Sequence, residues 1–409
     1  MDPRRAHRKY LFYTLVSQII IDNHALGPNR RRAVLTSPDS RLRMGVHISE
    51  LPPEILCEVI EHLVIDGIWA LRHALFVCRR WHSTIISNQK AWSTIDIGKA
   101  YVQYFQFRQK GESLQFLKAA LKYSGTSPIQ ITIDWRYHLP LYWDPDSDVP
   151  LSCRMPLGSD VMALAAENGS HLRRCRTLKV VYDPTTTSAF LMEYATYLVN
   201  LECISISGYN GSSSTLARIL RSPRLRVVKI IRSDWDSLNG ALGRGSQATK
   251  LCIERNEPWK PRHAECLAVF TFLHTLVISR NAREDVWSLG KHTALPRVPL
   301  WNLSILRLRG PVHRHLLDSL HIPSLTSLYI TDDDWARNAL GYIPITTWDS
   351  NIRHLHLDLV EDGWGPDLLR VIKKSELRTI TLTRSMSGDH AVLCIPNSIT
   401  VNTEETALP

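Results

Sequence analysis

The residues best equipped for chemistry in this 409-residue chain are its histidines and cysteines, and their spacing limits what they can do. His263 and Glu265 match the opening half of a zinc-deaminase signature, whose metal site needs a Pro-Cys-x-x-Cys to be complete, and the chain contains no Cys-x-x-Cys. "HRH" at 313–315 and "HLH" at 354–356 each set two imidazoles on one side of a strand or turn, without the further Cys or His that a tetrahedral site requires. The eight cysteines (Cys57, Cys78, Cys153, Cys175, Cys203, Cys252, Cys266 and Cys394) are scattered, most of them beside Leu, Ile or Val. Small buried thiols of a reducing compartment look like this, so cytoplasm or nucleus is the expected location. There is no P-loop, Gly-x-Ser-x-Gly elbow, His-Glu-x-x-His or glycine-rich dinucleotide turn. The expectation is a chain with no catalytic residue, no metal and no cofactor.

Any function then rests on side chains that the fold displays, and a repeated pattern indicates which. The triplet apolar-x-x-apolar-x-apolar occurs at Cys175/Leu178/Val180, Leu201/Ile204/Ile206, Leu225/Val228/Ile230, Ala248/Leu251/Ile253 and Leu273/Leu276/Ile278. It continues at Leu303/Leu306/Leu308, Leu325/Leu328/Ile330, Ile352/Leu355/Leu357 and Leu377/Ile380/Leu382. Successive middle residues are 26, 24, 23, 25, 30, 22, 27 and 25 positions apart, near the leucine-rich-repeat period of roughly 20–29 residues. Apolar patches at Ser214–Leu220, Ala264–Phe272, Leu316–Leu320 and Asp367–Ile372 separate the triplets, so each repeat reads as strand plus helix. The asparagine expected three residues after the last apolar position occurs only at Asn256 and Asn281, with Asp183 and Asp333 as substitutes. An ordinary α/β sheet is the competing reading of the same spacings. The expected fold class is α/β, with a leucine-rich-repeat-like solenoid built on a parallel sheet over residues 171–395 and a polar tail at 396–409.

In such a sheet the residues between buried strand positions face outward on a concave surface. They are Lys179, Ser205, Lys229, Cys252, Val277, Arg307, Tyr329, His356 and Thr381. Asp-Trp pairs at Asp134-Trp135, Asp234-Trp235 and Asp334-Trp335 add large amphipathic rings near the rim. The candidate substrate-binding residues are therefore Lys229, Arg307, Tyr329, His356, Trp235 and Trp335, and the expected ligand is a protein. The connecting region, 98–170, holds a further strand signal at Pro128–Trp135 and a Pro/Asp-rich inserted loop at His138–Pro156.

Ahead of the repeats lies an apolar helical segment. Leu51-Pro52-Pro53-Glu54 starts a helix, because proline fits the first turn and Glu54 faces the positive end of the dipole. Ile55, Leu56, Val59, Ile60, Leu63 and Val64 recur at one-turn spacing, and Asp66-Gly67 stops the run. A second helix carries Leu71, Ala74, Leu75 and Cys78, and a third, from about Arg79, carries Trp81, Ile85 and Ile86. Three short helices expose more apolar surface than so small a unit buries internally, so the surplus faces a partner or a neighbouring domain.

These residues resemble an F-box. The family pattern of Leu-Pro-x-Glu-Ile-Leu, then Ile and Leu along the first helix, then Val-Cys-Arg-x-Trp and a closing Trp, is met by Leu51, Pro52, Glu54, Ile55, Leu56, Ile60, Leu63, Leu71, Val77, Cys78, Arg79, Trp81 and Trp92. The linker Ile65–Trp69 departs from the pattern in being longer and more apolar. The segment Leu316–Ile330 is similar to the C-terminal repeats of fungal F-box proteins. The resemblance implies a three-helix F-box over 47–97 that docks on the Skp-family adaptor, and through it a cullin, of a ubiquitin ligase. It places the adaptor contact among Leu51, Pro52, Ile55, Leu56, Ile60, Leu63, Val77, Cys78 and Trp81, some of which must be internal core. It also makes the chain a non-catalytic substrate receptor; an F-box scaffold outside any ligase is the alternative.

Charge leaves a third reading, a nucleic-acid or membrane-surface binder led by a basic arm. The net charge is +10, and residues 1–46 hold nine Arg/Lys against three Asp, a net of +6, which leaves +4 for the rest. A body so nearly neutral does not predict a phosphate-tracking surface, so nucleic acid is not the expected partner. "NRRR" at Asn29–Arg32 reads as a solvated basic arm or an import signal, with 1–46 expected to be flexible. Tyr10–Ile21 is too short to span a bilayer and lacks a signal-peptide cleavage site, so no membrane is expected.

Overall fold

The computed structural model describes residues 51–64, 68–97, 112–134, 164, 169–181, 190–208, 213–233, 246–255, 265–280, 297–310, 319–331, 352–359, 377–384 and 400–405. The arm 1–46, the loop His138–Pro156, and Trp135, Trp235 and Trp335 lie outside them, as do Asp183, Asn256, Asn281 and Asp333. The chain divides into two compact units, residues 1–130 with 148–163, and residues 131–147 with 164–409.

The first unit is helical. Helix α1 (Pro53–Leu63) has Pro53 in its first turn, where a missing N–H costs nothing, and Glu54 against the positive end of its dipole. The Pro52 carbonyl accepts the Leu56 N–H at 3.0 Å. One face of α1 buries Leu56, Val59, Ile60 and Leu63. A 3-10 turn at Ile68–Ala70 leads into α2 (Leu71–Ala74), so the second helix of the F-box pattern is a single turn. Helix α3 (Arg79–Ser87) buries Trp81 and Ile85. A 3-10 turn at Gln89–Trp92, strand β1 (Thr94–Ile97) and helix α4 (Glu112–Tyr123) follow.

Helix α4 belongs to the stretch read from sequence as a connecting region, yet its aromatics pack into the helical core. Phe116 lies 5.4 Å from the Trp69 ring and 5.7 Å from Trp92, and Tyr123 lies 5.2 Å from Trp92, measured between ring centroids. The Trp92 indole N–H donates to the Ile85 carbonyl at 2.8 Å, and that of Trp69 donates to the Asp96 carbonyl. Both tryptophans thus bury their rings without stranding a donor.

The second unit is built on strands. They are β2 (Ile129–Asp134, in this unit from Ile131), β3 (Cys175–Val181), β4 (Cys203–Ser207), β5 (Val227–Ile231), β6 (Lys250–Arg255) and β7 (Thr275–Arg280). There follow β8 (Val298–Pro299), β9 (Ile305–Arg309), β10 (Leu320–His321), β11 (Ser327–Thr331), β12 (His354–Leu359), β13 (Thr379–Arg384) and β14 (Thr400–Glu405). The main sheet keeps chain order, β2-β3-β4-β5-β6-β7-β9-β11-β12-β13-β14, while β8 and β10 pair separately. From β3 onward all neighbours are parallel. A strand every 22 to 30 residues beside its predecessor is the layout expected of a solenoid-like repeat domain. Every residue of the nine apolar triplets whose burial is described lies in the core, from Cys175 to Ile380.

Two backbone devices join successive repeats. At the starts of β5, β6, β7, β9, β11, β12 and β13, one carbonyl accepts two N–H groups of the next repeat: Glu202 O takes Arg226 N and Val227 N at 2.8 and 3.0 Å, and Arg226 O takes Thr249 N and Lys250 N at 2.9 and 3.0 Å. Thr249, His274, Ser304, Thr326 and Arg353 continue the series. At the strand ends, Gly208, Arg232 and Gly310 turn the chain with positive φ of 73°, 49° and 73°. Their N–H groups donate to Ile231, Glu254 and Thr331 of the following repeat. Arg232 thus performs a glycine's task at a steric cost of about 1–2 kcal/mol. Arg232→Gly relieves that cost, and the flexibility added to the unfolded chain, roughly 0.4–1 kcal/mol, offsets only part of it. The loss of the exposed Arg232–Glu254 ion pair, at 3.4 Å, matters little. The expected result is a rise in the urea midpoint worth roughly 0.5 kcal/mol; a fall would show that the Arg232 side chain, not its backbone, governs this turn.

Three details depart from the sequence expectation. Strand β14 pairs with β13 from Thr379↔Thr400 to Arg384↔Glu405, so the sheet continues into the segment assigned to a polar tail. A helix joins β4 to β5 at α5 (Ser213–Leu220), as the strand-plus-helix repeat requires, and residues 265–267 are helical, but Leu320 opens strand β10; residues 316–318 and 367–372 lie outside the described residues. A described pair of asparagines sits before the first apolar position of a triplet, where the sequence reading did not look: the Asn200 amide donates to Arg173 O at 2.8 Å and that of Asn302 to Thr271 O at 2.7 Å.

Candidate functional site

Two surfaces qualify, one on each unit. On the helical unit the structure divides the nine candidate contact residues by burial. Leu56, Ile60, Leu63 and Trp81 are buried core residues of α1 and α3, the internal part that the pattern leads one to expect. Pro52 and Ile55 are exposed at the start of α1, while Leu51, Val77 and Cys78 are half-buried. Phe76, which the sequence reading passed over, is 80% exposed in the turn between α2 and α3. No periodicity could have marked it, because it belongs to neither helix face. A phenyl ring held in water forgoes roughly 1.5–3 kcal/mol of burial, which makes this turn and the α1 start the apolar surface available for docking.

On the repeat unit the sheet places the outward residues of successive strands side by side. In the register Lys179 lies opposite Ser205, Ser205 opposite Lys229, Lys229 opposite Cys252 and Cys252 opposite Val277. Val277 lies opposite Arg307, Arg307 opposite Tyr329, Tyr329 opposite His356 and His356 opposite Thr381. All nine positions thus form one row across the sheet, with Ser205 and Val277 buried within it rather than exposed as the alternation predicts. Lys229 is exposed; Arg307, Tyr329 and His356 are half-buried. The Arg307 guanidinium stacks over the Tyr329 ring, 4.3 Å from its centroid, and Tyr329 packs on His356 at 5.3 Å between centroids. Of the candidate substrate-binding residues these three touch in series, and Lys229 occupies the same row three strands away. Trp235 and Trp335 lie outside the described residues.

The thiols near this row are poor nucleophiles. Burial raises the Cys252 pKa, and the nearby Lys250, Lys229, Arg309 and Arg307 charges only partly counter it. Burial likewise raises Cys203 and pushes Cys175 to about 12. Among the described residues no group of three or more His, Cys, Asp or Glu is placed to hold a metal, and His354 and His356 share a strand face without a third ligand. No described helix is long and apolar enough to cross a membrane.

Comparison with known proteins adds one identification. Residues 48–92 match the family model of the F-box domain, and this segment of the chain is an F-box domain. No curated protein matches the chain. F-box domains bind Skp-family adaptors within cullin ubiquitin ligases, and the proteins that carry them are generally non-catalytic subunits.

Proposed function

We propose that this chain is the substrate-recognition subunit of a Skp-cullin-F-box ubiquitin ligase, with its F-box on the adaptor and a protein substrate on the open face of the repeat sheet. Ubiquitin transfer belongs to the partner enzymes; this chain contributes positioning. The observation that carries the reading is the pairing of an F-box domain at 48–92 with a repeat sheet that aligns one row of outward side chains. Pro52, Ile55 and Phe76, with the partly covered Leu51 and Val77, supply the adaptor surface. Leu56, Ile60, Leu63 and Trp81 act through them by fixing α1 and α3.

The test is co-purification of the Skp-family adaptor and cullin with wild type and with a Leu51→Ala, Pro52→Ala double variant. Wild type retains both, and the variant, melting like wild type, loses both. Adaptor without cullin would favour a scaffold acting outside the ligase, and a folded wild type that retained no adaptor would end the reading.

A further inference from the structure

The middle of the outward row and the positions flanking it carry a cluster of basic residues. Lys229 on β5, Lys250 on β6, and Arg307 and Arg309 on β9 all bear on the Cys252 thiol between them. None has a carboxylate within ion-pair distance among the described residues. Glu254, the nearest acid on β6, is engaged by Arg232 at 3.4 Å. Arg307 is held in place by the Tyr329 ring, and its Nε is buried without an acceptor. Between the cationic ends the row is small and apolar, Cys252 then Val277. Holding like charges together on one face is unfavourable unless an anionic ligand meets them.

Strand spacing converts the cluster into a ligand pattern. Lys229 and Arg307 lie in the same row three strands apart, about 14 Å at 4.7–4.9 Å per strand. An extended peptide advances roughly 3.3 Å per residue, so about four residues span the gap, and an even separation puts both ends on one side of the peptide. We propose that the row from Lys229 to Arg307 binds an extended acidic segment of a protein, with carboxylates four residues apart and a small apolar residue midway over Cys252 and Val277. The cluster is short: Ser205 adjoins it on one side, and Tyr329 and His356 on the other. A nucleic-acid strand, with a phosphate at every nucleotide, calls for a longer stripe. The inference rests on the substrate-receptor reading, since it names the class of segment which that face receives.

The test uses the full chain and a fluorescein-labelled peptide, Gly-Glu-Ala-Val-Ala-Glu-Gly, read by fluorescence anisotropy. Controls are its Glu-to-Gln analogue, a version with the two glutamates three apart, and a single-stranded oligonucleotide. Binding of the first peptide, at least tenfold tighter than either peptide control, is expected, as is a tenfold or greater loss in a Lys229→Gln, Arg307→Gln double variant. Arg307→Lys, which keeps charge and gives up stacking, is expected to fall between. Equal binding of the Glu and Gln peptides, no effect of the double variant in a protein that melts like wild type, or tighter binding of the oligonucleotide would each overturn the proposal. Adaptor co-purification on the same preparations separates the two ideas: peptide binding lost with adaptor retained sinks only the acidic-segment assignment, and the reverse sinks the receptor reading while the peptide site stands.

Discussion

Replacing Phe76 with aspartate is expected to weaken binding of a purified Skp-family adaptor by at least about 30-fold, the equivalent of roughly 2 kcal/mol for a hot-spot side chain, and to leave thermal unfolding unchanged. The reason lies in where the ring is. At 80% exposed it contributes almost nothing to the free fold, and surface substitutions of this kind usually fall within about 0.5 kcal/mol. Its value appears only when a partner removes it from water. Aspartate both deletes the ring and places a charge where the adaptor must exclude solvent. Titration calorimetry and a melting curve on the same preparation check the two halves of the result. An adaptor that binds the variant as it binds wild type would put the turn between α2 and α3 outside the interface.

Trp92→Ala should have the opposite signature, a loss of the fold itself. The Trp92 ring is fully buried, packs on Phe116 and Tyr123, and donates its indole N–H to Ile85. Truncating a buried aromatic to alanine costs about 3–5 kcal/mol, a large share of the 5–15 kcal/mol, roughly, that holds a typical domain together. Urea unfolding should show the helical unit melting early, with adaptor binding falling in parallel. Trp92→Phe, which keeps a ring and removes the indole donor while the Ile85 carbonyl keeps the Asn88 N–H at 3.2 Å, should cost only about 0.5–1.5 kcal/mol for the lost hydrogen bond. A cost under about 1 kcal/mol for the alanine variant would mean that α4 does not depend on this ring.

The parts of the fold legible in the sequence are those set by local rules. Proline geometry and one-turn spacing placed the start of α1, and period-2 burial placed the strands, because both signals are written within a few residues. Within the F-box pattern the division of core from surface was not legible. Ile55 and Leu56 are neighbours of the same chemistry, and only the position of α3 decides that one is exposed and the other buried. Strand β14 escaped because Thr400-Val401-Asn402-Thr403-Glu404-Glu405 has almost no apolar alternation; its pairing is a matter of backbone hydrogen bonds to β13. Helix α4 reads as connector in the sequence because nothing in its own residues says that Phe116 meets Trp69 and Trp92. On the outward row the residue types were legible and their alignment was not: that Arg307 stacks on Tyr329 follows from register between strands that the intervening chain separates.

The shared carbonyls at the strand starts bear on how freely this domain can change. At Glu202, Arg226, Thr249, His274, Ser304, Thr326 and Arg353 the acceptor is main chain, and the donors are main chain too. Acid, base, hydroxyl and imidazole side chains occupy the same rung with the same hydrogen bonds. A lineage carrying this fold can therefore let those side chains drift and keep the main-chain join between repeats, losing only the added bonds that the Thr249, Ser304 and Thr326 hydroxyls make to the preceding carbonyl. The outward positions, equally unconcerned with the join, are then open to being rewritten for a new target while the scaffold stays as it is.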